Sequence, residues 1–82
     1  MVNSEDVRTI LKEIVDPELN VSIVDQGAIK DIRIERGVIT IKLASNYAGT
    51  PLAEYLTDMI RQKIEVLPEV DKVDVIIAGL GE

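Results

Sequence analysis

The stretch IKDIRIERGVITIKLA, residues 29–44, constrains the fold more than any other part of the chain. Apolar residues alternate with polar ones along it. Ile32 and Ile34 fall on one side of the first run, and Ile39, Ile41 and Leu43 on one side of the second, with Thr40 and Lys42 between them. Two such runs joined at Arg36-Gly37 read as a β-hairpin with one apolar face. That face needs a cover, and the flanking segments supply two helical stripes. In NSEDVRTILKEIVDPE, Asn3 or Ser4 is the candidate cap, Glu5 and Asp6 suit a helix N-terminus, and Val7, Ile10, Leu11 and Ile14 recur at helical spacing. Pro17 disfavours helical geometry at Asp16, so the spacing predicts a first helix ending there. A second helix is predicted from Pro51, favoured at a first helical position. Its stripe is Leu52, Leu56, Met59, Ile60, Ile64 and Leu67, and Pro68 closes it.

VDKVDVIIAG adds a strand with Val73, Val75 and Ile77 on one face, whereas ELNVSIVDQGAI alternates over too few residues to make a secure strand. The predicted fold is therefore α+β, a two-layer α/β sandwich in the order α-β-β-α-β. Both helices lie on one face of a hairpin plus a third strand. The whole chain, residues 1–82, reads as one domain. The neighbour of the last strand stays open, and the exposed sheet edges raise the expectation of a homodimer.

Composition narrows the function classes. The chain has no Cys and no His, which removes disulfides and the common ligands for zinc and soft metals, so no metal site and no cofactor is expected. Only Tyr47 and Tyr55 are aromatic, so the core must be built from Ile, Val and Leu. A net charge of −6 with scattered basic residues argues against nucleic acid as a partner. No apolar run is long enough for a membrane span or signal peptide, and a cytoplasmic location is the expectation.

Two segments carry candidate chemistry. Asp16, Glu18 and Asp25 follow the first helix closely. Converging carboxylates could do acid/base work or hold a hard metal, but closeness in sequence establishes neither. The structural alternative has Asp16 ending the helix and Asp25 accepting backbone N–H groups in the turn before Gly27, itself the sign of a turn or a close backbone approach. The second segment is SNYAGTPLAEYL, where Gly49 allows close approach of the backbone and Thr50 stands before Pro51. A threonine nucleophile needs a nearby base, usually His, Lys or a terminal amine. As an N-cap, threonine is a good choice, contributing about 1 kcal/mol.

DPELNVSIVDQGAIKDIRI resembles the Asp-Pro-Glu…Ile-Val-Asp-Leu-Gly-Leu signature of the iron–sulfur cluster assembly domain family. This family includes PaaD-like, SufT-like and MIP-eighteen-type proteins and the N-terminal domains of some Mrp/ApbC P-loop ATPases. GVITIKLASNYAGTPLAEYL is similar to its strand, loop and Gly-Cys-Pro-Leu helix start, and LPEVDKVDVII to its Leu-Pro-Gly-Val…Val-x-Val close. The resemblance spans roughly residues 7 to 77. It implies a two-layer domain and a role in iron–sulfur cluster assembly or delivery, with Asp16, Pro17, Glu18, Asp25, Gly27, Gly49 and Pro51 as motif residues. The family's usual cysteine falls at Thr50, and Gln26 and Ala28 stand where larger apolar residues are usual, loosening the wall beside the loop.

The expected role is a non-enzymatic accessory or adaptor acting by protein contact, without ligating a cluster. Its expected partner is an iron–sulfur assembly protein or a P-loop ATPase carrier. The alternatives are a PaaD-like accessory subunit of an oxygenase or other metabolic enzyme, and a free-standing counterpart of the domain fused to P-loop ATPases. A small acid/base enzyme lacks His, a placed Lys and a cofactor loop. A KH-like RNA binder lacks a basic Gly-x-x-Gly loop.

Overall fold

The hairpin forms as its alternation predicts. In the computed structural model, which describes residues 2–79, β3 (Ile29–Glu35) and β4 (Val38–Leu43) pair antiparallel across the Arg36-Gly37 turn. They are preceded by α1 (Ser4–Leu11), β1 (Val15–Asp16) and β2 (Val21–Ser22). A 3₁₀ turn (Ser45–Tyr47), α2 (Pro51–Ile64) and β5 (Lys72–Ile77) follow. The major elements keep the order α-β-β-α-β, to which β1 and β2 add a small antiparallel ladder.

The last strand finds its neighbour in β4. The two run parallel, with Ile39 opposite Val73, Ile41 opposite Val75 and Leu43 opposite Ile77, so β4 is the central strand. Its three inward residues are fully buried. They share one core with Val7 and Leu11 of α1 and with Leu56, Ile60 and Ile64 of α2, so both helices cover the same face of the sheet. Tyr47 joins this otherwise aliphatic core.

Both helices are shorter than their apolar spacing predicts. α1 starts in a capping box, in which Asp6 N–H donates to Asn3 Oδ1 at 2.9 Å and Asn3 N–H to Asp6 Oδ2 at 3.3 Å. It ends at Leu11, well before Asp16. Ile14 keeps its place in the core, but its carbonyl accepts the Ile23 N–H at 2.9 Å, and Val15 and Asp16 pair with Ser22 and Val21. Strand pairing and two β-branched residues in succession prevail over the helical period. α2 ends at Ile64, and Leu67 packs against the core from the turn beyond it.

Candidate functional site

β1 leads directly into the site. Asp16 is 2 % exposed and is the one buried charged side chain among the described residues. It does not end a helix. Its Oδ1 accepts the backbone N–H of Glu18 at 2.8 Å and of Leu19 at 3.3 Å, an Asx-turn that folds Pro17, Glu18 and Leu19 back across the end of β1. The other oxygen, Oδ2, accepts Gln26 Nε2 at 2.9 Å. The same amide nitrogen donates to the hydroxyl of Tyr47, while Gln26 Oε1 is buried with no partner among the described residues.

This arrangement polarises both titratable members. The Gln26 amide holds the Asp16 carboxyl below the usual aspartate range; burial pushes the other way, and the Glu18 and Leu19 N–H groups and the Tyr47 phenol add to the lowering. Tyr47 moves in the opposite direction. Burial, then the negative charge of Asp16, raises its pKa above the ordinary phenolic value.

The loop after β4 brings Thr50 to the same place. Thr50 is the N-cap of α2: its Oγ1 accepts the Ala53 N–H at 3.2 Å and donates to the Tyr47 carbonyl at 2.8 Å. The hydroxyl proton is therefore committed to a backbone carbonyl. Pro51 occupies the first helical position.

A groove with two lobes opens over this helix start. The smaller lobe, ≈ 250 Å³, lies between Asp16, Glu18, Leu19, Tyr47 and Thr50; the larger, ≈ 540 Å³, is walled by Pro17, Pro51 and Tyr55. Glu18, Thr50 and Leu52 line both, so the two lobes adjoin at the start of α2.

Of the residues singled out in the sequence, Asp16, Pro17, Glu18, Thr50 and Pro51 thus meet at one groove. Asp25 does not. It is exposed, pairs with Lys12 at 3.8 Å and accepts no backbone N–H among the described residues, because the turn before Gly27 closes through the Ser22 and Val24 carbonyls instead. Gly27 and Gly49 adopt φ of +80° and +74°, and a Cβ on either would meet nothing within 4 Å. Both glycines serve backbone turns, and neither provides a close approach. Gln26 does not loosen the wall beside the loop but ties Asp16 to Tyr47, and Ala28 is packed in the core. Tyr47, Leu52 and Tyr55 are groove residues that the sequence reading missed. The signal available was that both tyrosines flank Thr50.

The described residues contain no group of three His, Cys, Asp or Glu placed to hold a metal ion. With no thiolate in the chain and both Asp16 oxygens engaged by N–H donors, the groove does not fit an iron–sulfur cluster as a ligand set.

The family model for iron–sulfur cluster assembly proteins matches residues 4–75. The chain belongs to this family. The Bacillus subtilis Fe–S protein maturation auxiliary factor YitW is 35% identical over 72 residues, covering 87% of this chain and 71% of that protein. A Synechocystis iron–sulfur cluster carrier protein is 32% identical over 75 residues, covering 92% of this chain; the chain spans only 21% of that longer relative. Among solved structures, a conserved hypothetical protein from Thermotoga maritima superposes with a TM-score of 0.78 at 27% identity, covering 94% of this chain and 76% of that one. The matched region of the iron–sulfur assembly family model contains every residue of the groove, from Asp16 to Tyr55.

Proposed function

We propose that this domain is a non-enzymatic accessory protein of iron–sulfur cluster assembly or delivery, which works by protein contact through the groove at the start of α2 and leaves cluster ligation to its partners. Membership of the assembly family motivates the pathway, as do relatives named as a carrier and as a maturation auxiliary factor. The single observation that carries the mode of action is the state of Thr50. At the position where the resemblance places a cysteine, the hydroxyl is consumed as donor and as acceptor by the protein's own backbone. The cluster is cargo passing between other proteins.

A second reading rests on the length of one relative. The match fills most of this chain but about a fifth of the Synechocystis carrier, so the domain can serve as a separate counterpart of a module built into a longer carrier. Its partner is then the remainder of such a carrier.

Anaerobic reconstitution with iron and sulfide tests the first reading. The wild-type chain should recover no stoichiometric cluster absorbance, yet should speed cluster transfer from a loaded carrier to an apo target protein. Tight, stoichiometric cluster retention by the cysteine-free chain overturns it. Thr50→Cys is the informative companion, because it places a sulfur at the helix start with a side chain of similar size.

A further inference from the structure

We propose that the two-lobed groove receives an extended segment of a partner protein that carries a lysine or arginine next to an apolar side chain. The inference rests on reading the groove as a protein-contact site and adds what that contact recognises.

Charge is the first argument. Neither lobe is lined by any Lys or Arg, and both include Glu18. Lys12 and Lys63 are engaged with Asp25 and Glu13, and Arg33, Arg36 and Lys42 lie on the outer face of the sheet. The two carboxylates of the groove have unequal roles. Asp16 is buried and both its oxygens accept N–H donors, so it contributes a fixed negative field. Glu18 is exposed and has no ion-pair partner among the described residues, which makes it the group that meets an incoming cation.

The walls supply the second argument. Leu19 is 62 % and Tyr55 44 % exposed, and they flank Leu52, Pro17 and Pro51 around Glu18. A hydrated metal ion or a lone ammonium group leaves these walls wet. A side chain placed beside the cation covers them and gains the burial of apolar surface. The Leu52 N–H, in the first turn of α2, donates to no carbonyl of the described chain. It offers a peptide carbonyl a donor at the helix start, where the positive end of the helix favours the carbonyl oxygen and sends the cation toward Glu18. An extended segment with a basic and an apolar side chain satisfies all three features together.

The test is selection from a library of short random peptides on the immobilised full chain, followed by titration of the enriched peptides. Enriched sequences should pair Lys or Arg with a neighbouring Leu, Ile, Phe or Met. Reversing the charge with Glu18→Lys should weaken binding about tenfold, and raising the salt should weaken it in the wild type. Tyr55→Ser should weaken it through the lost apolar wall, while Arg36→Glu on the opposite face should leave it unchanged. Glu18 and Tyr55 are both exposed, so circular dichroism of each variant should match the wild type. The proposal falls if no peptide is enriched, if enriched peptides lack a cation, or if their binding ignores Glu18→Lys. In each of those cases the accessory role still stands or falls on cluster reconstitution and transfer. If the wild-type chain itself ligates a cluster, the accessory reading falls, whatever the peptides do.

Discussion

The groove at the start of α2 and the outer face of the sheet are both concave, and the sheet face, at ≈ 620 Å³, is larger than either lobe of the groove. They are built in opposite ways. The sheet face is bordered by Asp31, Arg33, Glu35, Arg36 and Lys42, and its charges are held by exposed neighbours such as Arg33–Asp31 at 3.4 Å, with side chains 78% and 46% exposed. Pairs of that kind contribute at most about 1 kcal/mol and are screened by salt. The groove instead stands on a buried carboxylate whose oxygens are both engaged, on an amide shared with a tyrosine and on a helix cap. Volume alone therefore does not tell the two surfaces apart. What separates the two is how firmly the side chains beneath them are fixed.

The comparison can be attacked first from the core that both surfaces share. Ile41→Ala, beneath the centre of the sheet, should cost about 2–5 kcal/mol in denaturant unfolding and weaken both faces together. If only one face responds, the two surfaces do not rest on a common support.

Gln26→Leu acts on the groove alone. It strips a donor from Asp16 and a partner from Tyr47, so it should lower the melting temperature and raise the pKa of Asp16, as read by carboxyl NMR chemical shifts. The pH dependence follows from the same contacts. Because the folded protein holds the Asp16 carboxyl below its unfolded value, the stabilisation is complete above that unfolded value, about pH 4, and is lost as the pH falls through the lower folded one. Gln26→Leu should therefore flatten the acid limb of the stability profile. An unchanged acid limb would remove Asp16 as the groove's anchor.

Thr50→Ala deletes the cap and should cost about 1 kcal/mol. Thr50→Ser, which keeps the oxygen, should restore most of the loss. The smallest effect is expected on the sheet. Lys72→Ala removes an exposed pair with Asp74 at 3.6 Å and should change stability by less than about 0.5 kcal/mol, vanishing at high salt. A large loss there would contradict the contrast between a built groove and a solvated face.

The hairpin, both helix starts and the final strand were legible because each depends on local rules: alternation, capping and the placement of Pro51. The end of α1 was not. Ile14 satisfies the helical period, and only the partner carried by Ile23 reveals that its carbonyl belongs to a strand-like turn. The same limit governs the site. Asp16, Glu18 and Thr50 could be nominated from the motif, yet their meeting depends on a contact between loops that no periodicity encodes. Asp25 looked equivalent to Asp16 because the two are close in sequence, but β2 and the turn after it leave Asp25 at the surface beside Lys12. Gln26 looked like a defect in an apolar wall for want of any sign that Tyr47 would reach it.

The Asx-turn at Asp16 turns two ordinary amide protons into gauges of the neighbouring loops. Glu18 and Leu19 surrender their N–H groups to a carboxylate that Gln26 and Tyr47 keep in position, so solvent exchange at those two amides should quicken whenever the distant tyrosine loosens. A spectroscopist watching two cross-peaks could thus follow the opening of the helix-start loop without attaching a probe to it.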